Sequence, residues 1–234
     1  MIVTEWLKLR SVRSTWLLLG AGYLLVIAGV SGLLARRTGD GAGLVPKAVG
    51  HVGLIGTLSL LLGVRVMAGE YRHKTISETY LAEPRRLRVL AAKVTVAAGL
   101  AAAYALTAAL VALATTAVWL GDVPFSADLW RTLAGAVAWN VLFAVVGVAV
   151  GALLRNLVGA VAVVLAWIAV VEGIAAQLLG DSLAKWLPFQ AAMALGDMGA
   201  GGLPQAGAGL LLVAYAAVFG GAAVLVTRRA DVEG

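Results

Sequence analysis

The chain contains no cysteine. Disulfide bridges and thiolate metal sites are therefore excluded. Charge is scarce as well. Asp, Glu, Lys and Arg supply 13% of the 234 residues, against roughly a quarter in soluble domains. That leaves too little polar surface to coat a water-soluble globule of this size. The histidines are two, His51 and His73. No H-E-x-x-H pair and no dense Asp/His cluster offers a metal site. No Gly-Lys dipeptide occurs, which removes the phosphate-cradling loop G-x-x-x-x-G-K-[ST]. A G-x-S-x-G nucleophile elbow is missing too. An energised or catalytic process needs a partner, or an acid–base site inside the membrane.

What is present is apolar sequence. Hydrophobic residues make up 62% of the chain, and the mean hydropathy is +0.96. Six apolar runs lie near 16–35, 51–69, 94–120, 132–154, 157–179 and 206–227. Each reaches across a hydrocarbon core of about 30 Å at a rise of about 1.5 Å per residue. An isolated span must satisfy its own backbone hydrogen bonds, so helices are expected. The runs lack the period-two alternation of an outer-membrane barrel. The expected fold class is an all-α membrane protein with six transmembrane helices in one domain, 1–234. Lys8, Arg10 and Arg13 precede the first run as in a signal peptide. That run is long, and its end at Leu33-Leu34-Ala35-Arg36 offers no small-x-small site. It reads as a retained span.

The net charge of +6 marks membrane-flanking loops rather than a nucleic-acid surface. Twelve of the eighteen Lys and Arg residues fall on one side. They lie in the N-terminus, the loop 70–93, Arg155 and the tail at Arg228-Arg229. Arg36, Arg37, Lys47, Arg131 and Lys185 fall on the other side, and Arg65 lies within the second run. The positive-inside rule then places both termini in the cytoplasm. Trp16, Trp119, Trp130 and Trp186 fall near span ends, as interfacial anchors do. Trp139 and Trp167 are deeper and read as packing residues.

Two segments punctuate the plan. Residues 2–13 gather Ile2, Trp6, Leu9 and Val12 near one helical face, which suits a helix lying in the interface over 1–15. The outer segment 180–205 is apolar but broken by Pro188 and glycines, and suits a partly re-entrant or interfacial helix before the last span.

Polar residues inside the runs are few. Glu172 has two readings: a functional charge in the membrane, or a structural residue that is hydrated near the outer interface or ties down the loop that follows. Asn140 and Gln177 either line a path or hold helices together. Arg65, near the inner end of its span, is expected to snorkel to the headgroups. Gly147 and Gly151 form a small-x-x-x-small pair that permits close packing.

The loop after the second span mixes charged and apolar residues: Gly69-Glu70-Tyr71-Arg72-His73-Lys74-Thr75-Ile76-Ser77-Glu78-Thr79-Tyr80-Leu81-Ala82-Glu83-Pro84-Arg85-Arg86-Leu87-Arg88. Ile76, Tyr80 and Leu81 are expected on one face of a short helix. Pro84 ends it, because the residue before proline disfavours the α region. A second helix then starts between Arg85 and Lys93 and leads into the third span. A loop of this kind docks into a groove through a few anchors and a polar rim.

The order of apolar span, Gly-Glu-Tyr-Arg, Thr-Ile, Pro-Arg-Arg-x-Arg-Val-Leu-x-x-Lys and apolar span resembles the permease subunits of ABC-2 type ABC transporters. Thr4-Glu5-Trp6-Leu7-Lys8-Leu9-Arg10 and Gly147-x-x-x-Gly151-x-x-x-Arg155-Asn156 look like the same family. The resemblance is closest to short permeases of high-GC Gram-positive bacteria. It implies a bacterial plasma-membrane subunit with an N-terminal connecting helix, paired with a second permease subunit. Two separate ATPases would dock on its cytoplasmic face, holding the ATP and Mg, so this chain would carry no cofactor and no hydrolysis of its own. It implies a coupling helix from about Glu70 to Pro84, with Glu70, Arg72, Thr75, Ile76, Glu78, Tyr80, Pro84 and Arg86 as coupling residues. Asn140, Glu172 and Gln177 are the candidates for a translocation path. The implied activity is export of a peptide, antibiotic or lipid, with membrane lipid and no nucleic acid as the surroundings. Three rivals stand beside it: an ion-coupled secondary transporter using Glu172, a membrane-embedded enzyme, and a membrane anchor or sensor subunit without transport.

Overall fold

A computed structural model describes residues 13–36, 43–198 and 202–229. The helix expected over 1–15 lies outside the described residues as far as residue 12. The protein is an all-α membrane protein. Among the described residues, six helices are long and apolar enough to cross a bilayer: Thr15–Ala35, Leu44–Arg72, Arg86–Leu120, Ala127–Leu154, Leu157–Ala175 and Gln205–Arg228. They are spans 1 to 6 below.

Span 4 is the hub, packed against spans 2, 3 and 6. Its tightest partner is span 2, and glycine is the reason. A Cβ on Gly63 would overlap the Ala144 carbonyl, and one on Gly147 would overlap the Leu60 carbonyl. A Cβ on Gly151 would stand 2.8 Å from the Val64 oxygen. The two backbones therefore touch along one face, as small residues at i and i+4 allow. Spans 1, 5 and 6 leave most of their surface uncovered, which is the surface a bilayer or a second subunit would meet.

Span 2 begins earlier than its hydropathy does. It is continuous from Leu44 through a tight 3-10 stretch, His51–Ile55, into Gly56–Arg72. Pro46 sits in the first turn, where its missing N–H leaves no intrahelical bond unmade. Gly53, Gly56 and Gly196 make room for the Trp139 ring. That ring is buried and meets Phe143 and Phe189 edge-on.

Span 3 starts at Arg86, within the expected helix start between Arg85 and Lys93 and ahead of the apolar run at 94, and runs for 35 residues. Arg, Leu, Ala and Lys are good helix formers whatever the solvent, so the helix outruns its apolar part. At about 1.5 Å per residue it is roughly 50 Å long, well beyond a hydrocarbon core of about 30 Å. Its first turns therefore project from the core on the side of the loop 73–85.

Span 5 carries a π-helical stretch, Trp167–Glu172, and continues as Gly173–Leu179. The outer segment then folds back. A helix over Pro188–Leu195, with proline in its first turn, packs against spans 4 and 6. Ala191, Ala192 and Leu195 are its buried face. A packed outer helix thus occupies the segment expected to hold a partly re-entrant or interfacial helix.

Candidate functional site

At one end of the bundle lie the last turn of span 2, the loop 73–85 and the first turns of span 3. Glu70 and Lys93 join these two roots. Lys93 is fully buried, and its Nζ stands 2.9 Å from Glu70 Oε1. The same ammonium donates to the Val66 carbonyl at 3.2 Å. A buried charge of this kind is held only by paired charge and hydrogen bonds. The pair pins the loop at both of its anchor points.

The chain between the roots reverses sharply. Thr75 N–H donates to the Glu70 carbonyl at 3.0 Å, and Lys74 takes a left-handed φ of 57°. A seven-residue helix follows, Ile76–Ala82. Its first turn is steadied by Thr79 Oγ1, which donates to the Thr75 carbonyl at 3.2 Å. Glu83 is extended, with φ −136° and ψ 97°, as a residue before proline should be. The stop expected at Pro84 is where the helix ends.

The face expected of Ile76, Tyr80 and Leu81 is divided by the structure. Ile76 is buried in the main core beside Met67 and Leu90. Tyr80 is half-buried, and the Arg86 guanidinium lies 5.3 Å from its ring centroid. Burial, with Tyr71 alongside, raises the Tyr80 phenol above its ordinary pKa, so it presents a neutral ring to that cation. Leu81 points the other way and is 83% exposed. Glu78, Arg72 and Pro84 are exposed with it. The loop helix thus has an inner face that docks on its own bundle. Its outer face offers an apolar anchor beside charge. Leu81 was not among the expected site residues. Helical spacing alone separates it from Ile76, since five residues at about 100° each leave roughly 140° between them.

The three path candidates differ in their surroundings. Asn140 is fully buried and fully used. It accepts from Ser59 Oγ at 2.6 Å, and its amide donates to the carbonyls of Val52 and Ala136 at 3.2 and 2.9 Å. It ties span 4 to span 2. Gln177 is exposed. Glu172 is buried, and its carboxylate caps the outer helix. It accepts from the backbone N–H groups of Phe189 at 2.8 and 2.9 Å and of Gln190 at 3.2 Å. Trp167 Nε1 adds a fourth bond at 3.1 Å. The first N–H groups of a helix have no intrahelical acceptor, and a carboxylate there also meets the positive end of the helix dipole. Of the two readings of Glu172, this geometry is that of the tie.

The cap has a measurable consequence. Glu172→Gln places an amide donor against the N–H groups that the carboxylate serves. Hydrogen bonds to a charged group are worth about 1.5–3 kcal/mol. Amide hydrogen exchange at Phe189 and Gln190 should therefore rise by about tenfold or more, with spans 2 and 4 unchanged. Equal exchange in parent and variant would remove the capping role.

Other expected residues also find defined places. The Arg65 guanidinium donates to Thr15 Oγ1 at 3.3 Å, so it holds span 1 rather than snorkelling free. Arg155 takes a left-handed φ of 50° at the end of span 4, and its guanidinium reaches the Val226 carbonyl at 3.5 Å. Asn156 then caps span 5 by accepting from Gly159 N–H at 3.1 Å. Trp16, Trp119 and Trp130 are exposed at span ends, whereas Trp186, also exposed, lies in the outer segment and its carbonyl accepts from the Tyr215 hydroxyl at 3.1 Å. Among the described residues, no group of three His, Asp or Glu gathers to hold a metal. No protein-family model matches the chain, and no curated protein matches it.

Proposed function

We propose that the protein is the permease subunit of an ATP-driven exporter, coupled through the loop helix Ile76–Ala82 to a separate ATPase. The reading joins the ABC-2 resemblance to one observation, the two-faced loop helix. Its inner face is fixed by Ile76, Tyr80–Arg86 and the Glu70–Lys93 pair, so a push on the helix reaches spans 2 and 3 together. Its outer face presents Leu81 and Glu78 to a partner. An apolar anchor with a charged rim is the pattern from which docking contacts are built.

On this reading the loop side faces the cytoplasm, in agreement with its excess of Lys and Arg. ATP binding draws two ATPase subunits together, and the loop helices pass that motion into a pair of permease subunits. The spans then exchange between two states of different cargo affinity. ATP and Mg belong to the partner, and this chain contributes no hydrolytic residue. The cargo class is hydrophobic or amphipathic.

The loop face gives the test. Leu81→Asp buries a charge at the docking contact, and Glu78→Arg reverses its rim. Loss of a central anchor typically costs 2 kcal/mol or more, roughly thirtyfold in affinity. Leu81→Asp should abolish co-purification of the ATPase, and Glu78→Arg should weaken it, with membrane insertion unchanged. ATPase recovery equal to the parent in both variants would remove the loop from this role.

A further inference from the structure

Between spans 3, 4 and 6 an open groove of about 400 Å³ runs along the bundle near its loop-bearing end. That size falls within the range of roughly 300–1,000 Å³ that small-ligand sites occupy. Leu90 and Val94 of span 3, Val145 of span 4 and Val224 of span 6 line it, and every lining residue except Arg228 is apolar. Gly220 opens it further, because a Cβ placed there would meet no protein atom within 4 Å. The groove thus faces the hydrocarbon, and a missing side chain widens it.

Arg228 stands at the rim, exposed, one turn from Val224. Among the described residues no carboxylate pairs with it. Of the other basic residues at this end, Arg86 lies over Tyr80, Arg88 faces Glu83 at 3.7 Å, and Arg155 reaches the Val226 carbonyl, while Arg72, Lys74 and Arg85 belong to the loop 73–85 and its root and do not line the groove. A cation at the membrane edge above a tail-shaped apolar groove complements one kind of ligand, with its negative head at the surface and its chain below.

We infer that this groove is a binding site for an anionic phospholipid, one acyl chain lying along Leu90, Val94, Val145 and Val224 and the phosphate at Arg228. The inference goes beyond the transport reading and does not rest on it. A neutral lipid lacks the charge to single out Arg228, and a helix of a second copy would cover the groove from both.

The probe is phosphatidylglycerol carrying a diazirine in its tail, with the full chain in phosphatidylcholine vesicles. Photolabelling should map to peptides covering 87–94 and 220–228. Unlabelled phosphatidylglycerol should compete about fivefold better than phosphatidylcholine, the ratio expected from one cation near a membrane surface. Arg228→Ala should erase that preference while leaving the groove labelled. Gly220→Leu should fill the groove and remove the label, with labelling elsewhere on the chain retained as the check on folding. Equal competition by the two lipids in the parent would overturn the assignment. So would label that persists in Gly220→Leu, or no label in the groove of the parent. Arg228→Ala alters an exposed side chain and carries the charge test independently of the glycine.

Discussion

Valine at Gly63 or Gly147 is expected to destabilise the folded bundle strongly. In each case the new Cβ overlaps a backbone carbonyl of the facing span, Ala144 for Gly63 and Leu60 for Gly147. A flexible side chain can step aside, but a carbonyl inside a helix cannot move without its span. Overpacking in a core typically costs about 1–3 kcal/mol and sometimes more. Here the strain falls on the two most closely packed helices, so the upper end applies. For a chain of this length about 3 kcal/mol corresponds to roughly 10 °C in Tm. Either variant should lose most of its monodisperse fraction in gentle detergent. Gly99→Ala is the matched control, since its Cβ would meet no atom within 4 Å. It should run like the parent. A Gly147→Val protein as stable as Gly99→Ala would show that spans 2 and 4 do not pack as described.

Lys93→Met should be at least as damaging, for an electrostatic reason. It removes the ammonium that stands 2.9 Å from a Glu70 carboxylate with 8% of its side chain exposed. Breaking one side of a buried pair costs about 3–5 kcal/mol, whereas replacing both partners by apolar groups is often neutral. The double variant Glu70→Leu/Lys93→Met should therefore regain most of the lost thermal stability. It should not regain coupling, because the two roots of the loop helix then have no charge holding them together. Restored stability with cargo-stimulated ATPase activity still depressed is the expected pattern. A double variant that recovers both would leave the pair as packing alone.

The sequence carried the fold further than the site. Six spans follow from apolar run length, because the bilayer imposes that length directly. Their ends were less legible. Helix formers at Arg86–Lys93 and a tolerated proline at Pro46 extend spans 3 and 2 beyond the apolar signal. The stop before Pro84 was legible because it is a local steric rule. The Glu70–Lys93 pair was not, since nothing in a 23-residue separation says that two helices return to the same point. Glu172 shows the same limit. A lone intramembrane acid carries both a functional and a structural reading in sequence, and only the path of the outer segment reveals the N–H groups of Phe189 and Gln190 at its oxygens. For Leu81 the signal was present. Its angular offset from Ile76 places it on the opposite side of a short helix.

The absence of cysteine makes the coupling claim directly accessible. Leu81→Cys introduces the sole thiol of the chain, on a residue 83% exposed, and Trp130→Cys does the same at the opposite end of the bundle. Each variant, labelled with a thiol-reactive photocrosslinker in the membranes of the cell that makes it, is irradiated and its adduct identified by mass spectrometry. The account expects Cys at position 81 to capture a protein bearing a phosphate-binding loop, with Cys at position 130 capturing none. Failure to capture an ATPase at position 81, or equal capture at both ends, would contradict it.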